Sequence, residues 1–133
     1  MNSYWAKQET QIFPACIVIA TSTEDVSTAV RILTSGNDRN DANLCQFAIR
    51  SGGHGTYGTS NIGEGITIDL SSLQAIELKA NSTIVSIQPG ARWNQVYQEL
   101  DFLNLTVPGS RAAGVGVGAV SYTHLTLPTN REV

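Results

Sequence analysis

The chain has 133 residues, 41% hydrophobic and 14% charged, with a net charge of −3. That length suits one domain of ordinary size, and the composition is too apolar for a disordered chain. The acidic balance argues against a nucleic-acid partner, which would ask for a basic patch, and the absence of a long apolar run argues against a membrane partner. The opening MNSYWAKQET has no basic start followed by an apolar core, so it does not read as a secretory signal. Two cysteines, Cys16 and Cys45, are too few for a disulfide scaffold or a structural zinc site, and no metal is expected.

In chain order, ACIVIA (residues 15–20) reads as a buried strand. STEDVSTAVRILTSG (22–36) opens with Ser22 and, three residues on, Asp25, a start resembling a capping box. Val26, Val30 and Leu33 follow at helical spacing, and Gly36 suits a C-terminal cap. QFAIR (46–50) reads as the next strand, so strand, helix and strand predict a parallel pair with a right-handed crossover. Cys16 and Cys45 adjoin those strands. The pairing would place them within disulfide range, with Cα atoms about 4.4–6.8 Å apart; otherwise they are two small buried thiols. GITIDL (65–70) and TIVSIQP (83–89) are rich in β-branched residues and separated by turns, as in a strand-rich layer. RWNQVYQELDFLN (92–104) returns to helical spacing. Trp93, Val96, Tyr97, Leu100 and Leu103 form its apolar face, which is core packing rather than a cofactor box. LTVPG (105–109) reads as a short strand and turn. Sequons at Asn81 and Asn104 lean towards secretion.

Glycine is unevenly spread. Eleven of the 12 glycines lie between residues 52 and 118, mostly at the ends of the expected strands. Glycine lets a ligand approach the backbone, and successive exposed N–H groups make an anion cradle. One such turn is more often only a tight turn. Three clustered at one edge would wrap something long and anionic, and a dinucleotide meets that demand. GVGVGA lacks the Rossmann spacing and the acidic residue some 20 positions on, and no P-loop Lys-Ser/Thr pair occurs. His54, in IRSGGHGTYG (49–58), stands among glycines after a strand. Alone it would be a loop or hydrogen-bonding histidine, but a neutral imidazole is also a nucleophile near physiological pH.

Taken together, RSGGHG (50–55), ITIDLSSL (66–73), VSIQPGARWNQVY (85–97) and GVGVG (114–118) resemble the FAD-binding domain of the vanillyl-alcohol oxidase, or PCMH-type, flavoproteins. Within that group the chain is most similar to fungal berberine-bridge-enzyme-like, FAD-linked oxidoreductases, and the opening PACIVIATSTEDVSTAVRIL (14–33) resembles the start of the same domain.

The resemblance implies an α+β fold, the N-terminal lobe of a PCMH-type domain: a β-α-β start, a strand-rich layer and a packing helix, incomplete at 133 residues. The domain would span residues 3–118. It implies FAD as cofactor, its pyrophosphate held by the turn of Arg50, Ser51, Gly52, Gly53 and Gly55, and its ring joined covalently to His54. Pro89 and Gly90, then Gly114, Val115, Gly116 and Gly118, match further loops around the flavin. Ala112 stands where some members carry a second attachment through cysteine, and Val115 falls at the family's oxygen-access position. The implied function is oxidation of a small-molecule substrate, hydride passing to the flavin and electrons to O2; the catalytic base is unknown. A non-catalytic nucleotide- or anion-binding module, or an inactive fragment, is the alternative. Residues 119–133 lose the glycine pattern and resemble a tail that recurs on unrelated predicted proteins, as translated adapter or vector sequence would. Relatives usually carry a signal peptide ahead of the matching segment, which implies a secreted parent whose leader is missing here; a cytosolic protein is the alternative.

Overall fold

The computed structural model describes residues 4–35, 46–56, 58–79 and 84–118. Cys45, Asn81, His124 and residues 119–133 lie outside the described residues. The elements are α1 (Lys7–Thr10), β1 (Cys16–Ile19), α2 (Thr23–Ser35), β2 (Phe47–Arg50), β3 (Ile66–Asp69), β4 (Ile76–Lys79), β5 (Ile84–Ile87) and α3 (Trp93–Asp101). Two sheets form: a parallel one in the order β1-β3-β2, and the antiparallel hairpin β4-β5. This is the expected α+β fold.

The crossover from β1 to β2 is parallel, but the two strands are not neighbours. Ile66 pairs with Cys16 on one side and Phe47 on the other. β3 takes the centre because Thr67, Ile68 and Asp69 are all buried, as a strand covered on both faces requires. The expected strand-rich layer therefore divides, ITIDL joining the first sheet and TIVSI the second. β1 and β2 stand two strand spacings apart, about 9.5 Å, which exceeds the reach of a disulfide between neighbouring partners. Cys16 is exposed with a free thiol, not buried.

α2 is capped at its start as its sequence predicts, while Gly36, the expected C-terminal cap, lies outside the described residues. The Asp25 N–H donates to Ser22 Oγ at 3.1 Å. Asp25 Oδ2 accepts from the Thr21 N–H, the Thr21 hydroxyl and the Ser22 N–H, each at 2.9 Å. These donors, Thr21 foremost, hold the Asp25 carboxyl below the usual carboxylate range. Leu33 of α2 joins Ala20, Ile68, Leu70 and Leu73 in the first core.

β4 carries no strong strand signal in IELK, yet its alternation is plain once paired. Ile76 and Leu78 turn inward opposite Ile87 and Val85, while Glu77 and Lys79 face out. Their apolar side packs on the second core, formed by Ala91, Trp93, Val96, Leu100, Val115 and Val117. α3 is shorter than expected. Asn104 adopts a positive φ of 53°, and the N–H groups of Leu105 and Asn104 return to the carbonyls of Leu100 and Asp101 at 3.0 and 3.1 Å. That pattern closes a helix end. It leaves Leu103 exposed rather than on the apolar face. LTVPG forms no strand; Leu105 and Val107 simply cover the second core.

Candidate cofactor site

The site begins where β2 ends. Arg50 is buried, its guanidinium donating to Asp69 Oδ2 at 3.1 Å and lying 4.1 Å over the Tyr4 ring. Asp69 Oδ1 also accepts the Ser71 N–H at 2.8 Å. Burial raises the Tyr4 phenol above its ordinary value, with the Arg50 charge opposing, so the ring stays neutral at physiological pH. The Arg50 side chain thus anchors the turn from below.

The chain then enters residues 51–56. Gly53 takes φ 64°, a conformation that favours glycine. Among the described residues, the amide N–H groups of Gly52, Gly53, His54, Gly55 and Thr56 make no hydrogen bond within the protein. Gly52 and Gly53 are buried. Buried donors without acceptors are costly and rare, and a consecutive run of them is the geometry of an anion cradle.

The opposite wall is residues 114–118. A Cβ on Gly52 would lie 2.5 Å from the Gly116 nitrogen, and a Cβ on Gly116 would lie 2.5 Å from the Gly52 nitrogen. The two backbones touch because neither carries a side chain. Gly118 rests near Ser51 and the Pro89 carbonyl, and the Ser51 hydroxyl donates to that carbonyl. Gly90 anchors its N–H on the Leu73 carbonyl at 2.8 Å. Gly114 faces open space. Val115 and Val117 alternate with these glycines and are packed in the second core, Val115 being 5% exposed.

Arg92 welds the walls together, and sequence reasoning missed it. Its guanidinium donates to the Gly114 carbonyl at 2.6 Å and to the Gly52 carbonyl at 3.1 Å. Its backbone forms a bridge with Gly116, and its N–H is held by Gln95 Oε1 at 2.7 Å. A cation inside PGARW was the available signal, but no local spacing reveals contacts 22 and 40 residues away.

His54 is half-buried and stacks on Trp5, ring centroids 4.6 Å apart and planes 15° from parallel. The Trp5 N–H donates to the Gly53 carbonyl at 2.9 Å. A separate apolar cavity of about 550 Å³ lies between β1 and α2, lined by residues such as Val18, Ile19, Ile32 and Leu33. It shares no residue with the glycine turn. The turn, not that cavity, has groups that fit an FAD pyrophosphate: amides without partners on a backbone largely free of side chains.

A buried glycine turn at the end of a parallel strand, faced by a second glycine loop, defines a nucleotide-holding domain of α+β type. The chain belongs to the FAD-binding domain family, whose model matches residues 14–126. It is 41% identical over 118 residues to the FAD-dependent monooxygenase tpcD of Cochliobolus heterostrophus, covering 88% of this chain and 21% of that protein. It is 45% identical over 119 residues to the FAD-dependent monooxygenase sdcF of Emericella nidulans, covering 89% and 24%. The chain thus spans about a fifth to a quarter of these relatives. Among solved structures it is similar to glucooligosaccharide oxidase from Acremonium strictum, described with a 6-S-cysteinyl, 8α-N1-histidyl FAD. There the TM-score is 0.63, with 30% identity over 79% of this chain and 21% of that one. A BBE-like 1 protein of Physcomitrella patens shares the fold, with TM-score 0.69 and 18% identity over 86% of this chain and 24% of that one.

Proposed function

We propose that this chain is the FAD-holding part of an FAD-dependent oxidoreductase that oxidises a small organic substrate, with dioxygen as electron acceptor. The run of unpaired amides on the buried turn beside His54 carries this reading. The amides of Gly52, Gly53, His54 and Gly55 hold the pyrophosphate. Gly114, Gly116 and Gly118 bring no side chain to the opposite wall, Pro89 and Gly90 form the loop beside it, and Arg92 fixes the distance between the walls. The bound FAD supplies hydride acceptance and electron transfer, while the protein supplies placement and shielding. Relatives named monooxygenases and a neighbour named an oxidase both fit a flavin that meets dioxygen.

His54 is the covalent attachment point. With FAD bound, an imidazole nitrogen of His54 would supply the protein's side of a bond to a flavin methyl carbon, giving up its N–H proton, while the flavin and dioxygen would supply the two-electron oxidation that the bond requires. Ser51 and Thr56 are alcohols without an activating base in contact, so imidazole is the nucleophile of the turn. Ala112 offers no thiol, so this protein carries a single attachment, unlike the cysteinyl-histidyl FAD named for the Acremonium enzyme.

The stack of His54 on Trp5 favours one competing reading, a non-catalytic anion-binding module in which His54 only closes the turn. Acid denaturation of the intact protein separates the two. The covalent reading predicts that wild type keeps its yellow colour on the polypeptide and that His54→Ala releases it. A folded, colourless wild type supports the binding module instead.

A further inference from the structure

We infer that Trp5 is a positioning residue that holds the His54 imidazole in its attacking orientation. The inference rests on the covalent reading above and adds a residue to it.

The observation is a clasp. The N-terminal segment grips the turn and the loop after it at four separated points. Tyr4 lies under the Arg50 guanidinium and its hydroxyl donates to the Ser60 carbonyl at 3.3 Å. Trp5 ties its N–H to the Gly53 carbonyl and stacks on His54. Glu9, fully buried, accepts the Thr59 N–H on Oε1 at 3.1 Å. Asn61 donates back to the Glu9 and Ile12 carbonyls at 3.0 and 2.9 Å. Trp5 is therefore fixed on both sides in sequence, although its own side chain is 67% exposed.

That exposure is the point. An indole that served only the core would be covered. This one covers something else, one face of a histidine whose neighbours are glycines. Glycines on both sides give the turn room for a planar ring, but they leave the imidazole nothing to lean on. An aromatic plane 4.6 Å away and nearly parallel supplies the missing wall. It restricts the rotation of the imidazole and directs its nitrogens edgewise, out of the stack, while the Gly53 carbonyl is drawn to the same residue. Pre-set orientation of a nucleophile is worth rate, not affinity.

The test uses two variants in the intact protein, Trp5→Ala and Trp5→Phe; both keep the backbone hydrogen bond to Gly53. The protein has two histidines, so labelled imidazole NMR signals are assigned with His54→Ala alone. The ring C–H resonances of His54 are expected upfield in wild type, to lose that shift in Trp5→Ala and to keep part of it in Trp5→Phe. The rate at which added FAD becomes acid-stable on the apoprotein should fall about three- to tenfold in Trp5→Ala, and Trp5→Phe should restore most of it. Reversible FAD affinity should stay within about twofold, since the amides that hold the pyrophosphate are untouched. Unchanged His54 resonances in Trp5→Ala would overturn the inference, and so would an unchanged attachment rate. A wild type that binds FAD and releases all of it in acid overturns the covalent reading instead; the His54 resonances then decide on their own whether Trp5 sets the imidazole.

Discussion

Among the described residues, the half of the molecule built on β1, β2 and β3 buries charge, and the half built on β4, β5 and α3 does not. Under the first glycine turn lie Glu9, Arg50, Asn61, Thr67 and Asp69, all buried and bonded to one another's segments. Under the second loop lie Trp93, Val96, Leu100, Val115 and Val117, a hydrophobic cluster without a charged side chain. Burying polar groups adds little net stability, because desolvation offsets the new bonds. What it adds is a single arrangement, since each partner must be met. The first half spends its buried polar groups on one loop, residues 50–61. The second half is a packed shelf against which that loop is measured, and Arg92 reaches from the shelf to the loop.

Breaking the polar half should have the largest effect. Asp69→Asn removes the carboxylate from a buried ion pair with the Arg50 guanidinium, and breaking such a pair costs about 3–5 kcal/mol. Urea unfolding reads it directly. A loss below about 1 kcal/mol would show that the pair is solvated and that the contrast between the halves is overstated.

Closing the seam comes next. Gly52→Ala would place a methyl against the Gly116 backbone, since a Cβ added at Gly52 would lie 2.5 Å from the Gly116 nitrogen. Overpacking of that kind costs about 1–3 kcal/mol, and FAD binding should be lost as the walls part. Retention of flavin at wild-type affinity would mean that the two loops are not the cradle.

Arg92→Met sharpens the comparison by cutting the one side chain that joins the halves through carbonyls on both loops. Water can replace part of what is lost at a half-buried group, so about 1–2 kcal/mol is expected. FAD affinity should weaken about tenfold, the fold-change of 1.4 kcal/mol. Equilibrium dialysis with FAD checks the second figure.

The smallest effect concerns α2, remote from the seam. Ser22→Ala removes the acceptor of the Asp25 N–H and should cost about 1 kcal/mol, with FAD binding unchanged. The sign of the pH dependence follows from the lowered Asp25 pKa. The carboxylate's contribution is complete above the unfolded value near 3.9 and disappears as pH falls through the lower folded value. A carboxyl NMR titration that placed the Asp25 midpoint above the unfolded value would contradict the cap.

Much of this arrangement was legible in the sequence, for identifiable reasons. Ser22 and Asp25 announced α2 because a cap is a local device. The glycines at 52, 53, 116 and 118 announced turns clustered at one edge, because a missing side chain is visible one residue at a time, but not that the two loops touch. Strand order was not legible. ITID and TIVSI carry the same β-branched signature, and only the burial of Thr67, Ile68 and Asp69 on both faces sends the first to the centre of a parallel sheet. β4 was missed because Glu77 and Lys79 mask Ile76 and Leu78 until β5 pairs with it. Arg50 was expected to help form the turn, but its buried ion pair was not legible, because its partner, Asp69, lies 19 residues on. Arg92 and Trp5 act across 22 to 49 residues of chain, a range that no periodicity covers.

The central claim is that the turn of residues 52–56 holds FAD and that His54 is bonded to it. Intact mass of the denatured wild-type protein, isolated with its cofactor, tests this most directly. The account predicts a polypeptide heavier by one FAD, the increment absent in His54→Ala and present in Trp5→Phe. A folded wild-type protein of unmodified mass, with no flavin absorbance before or after denaturation, would contradict it.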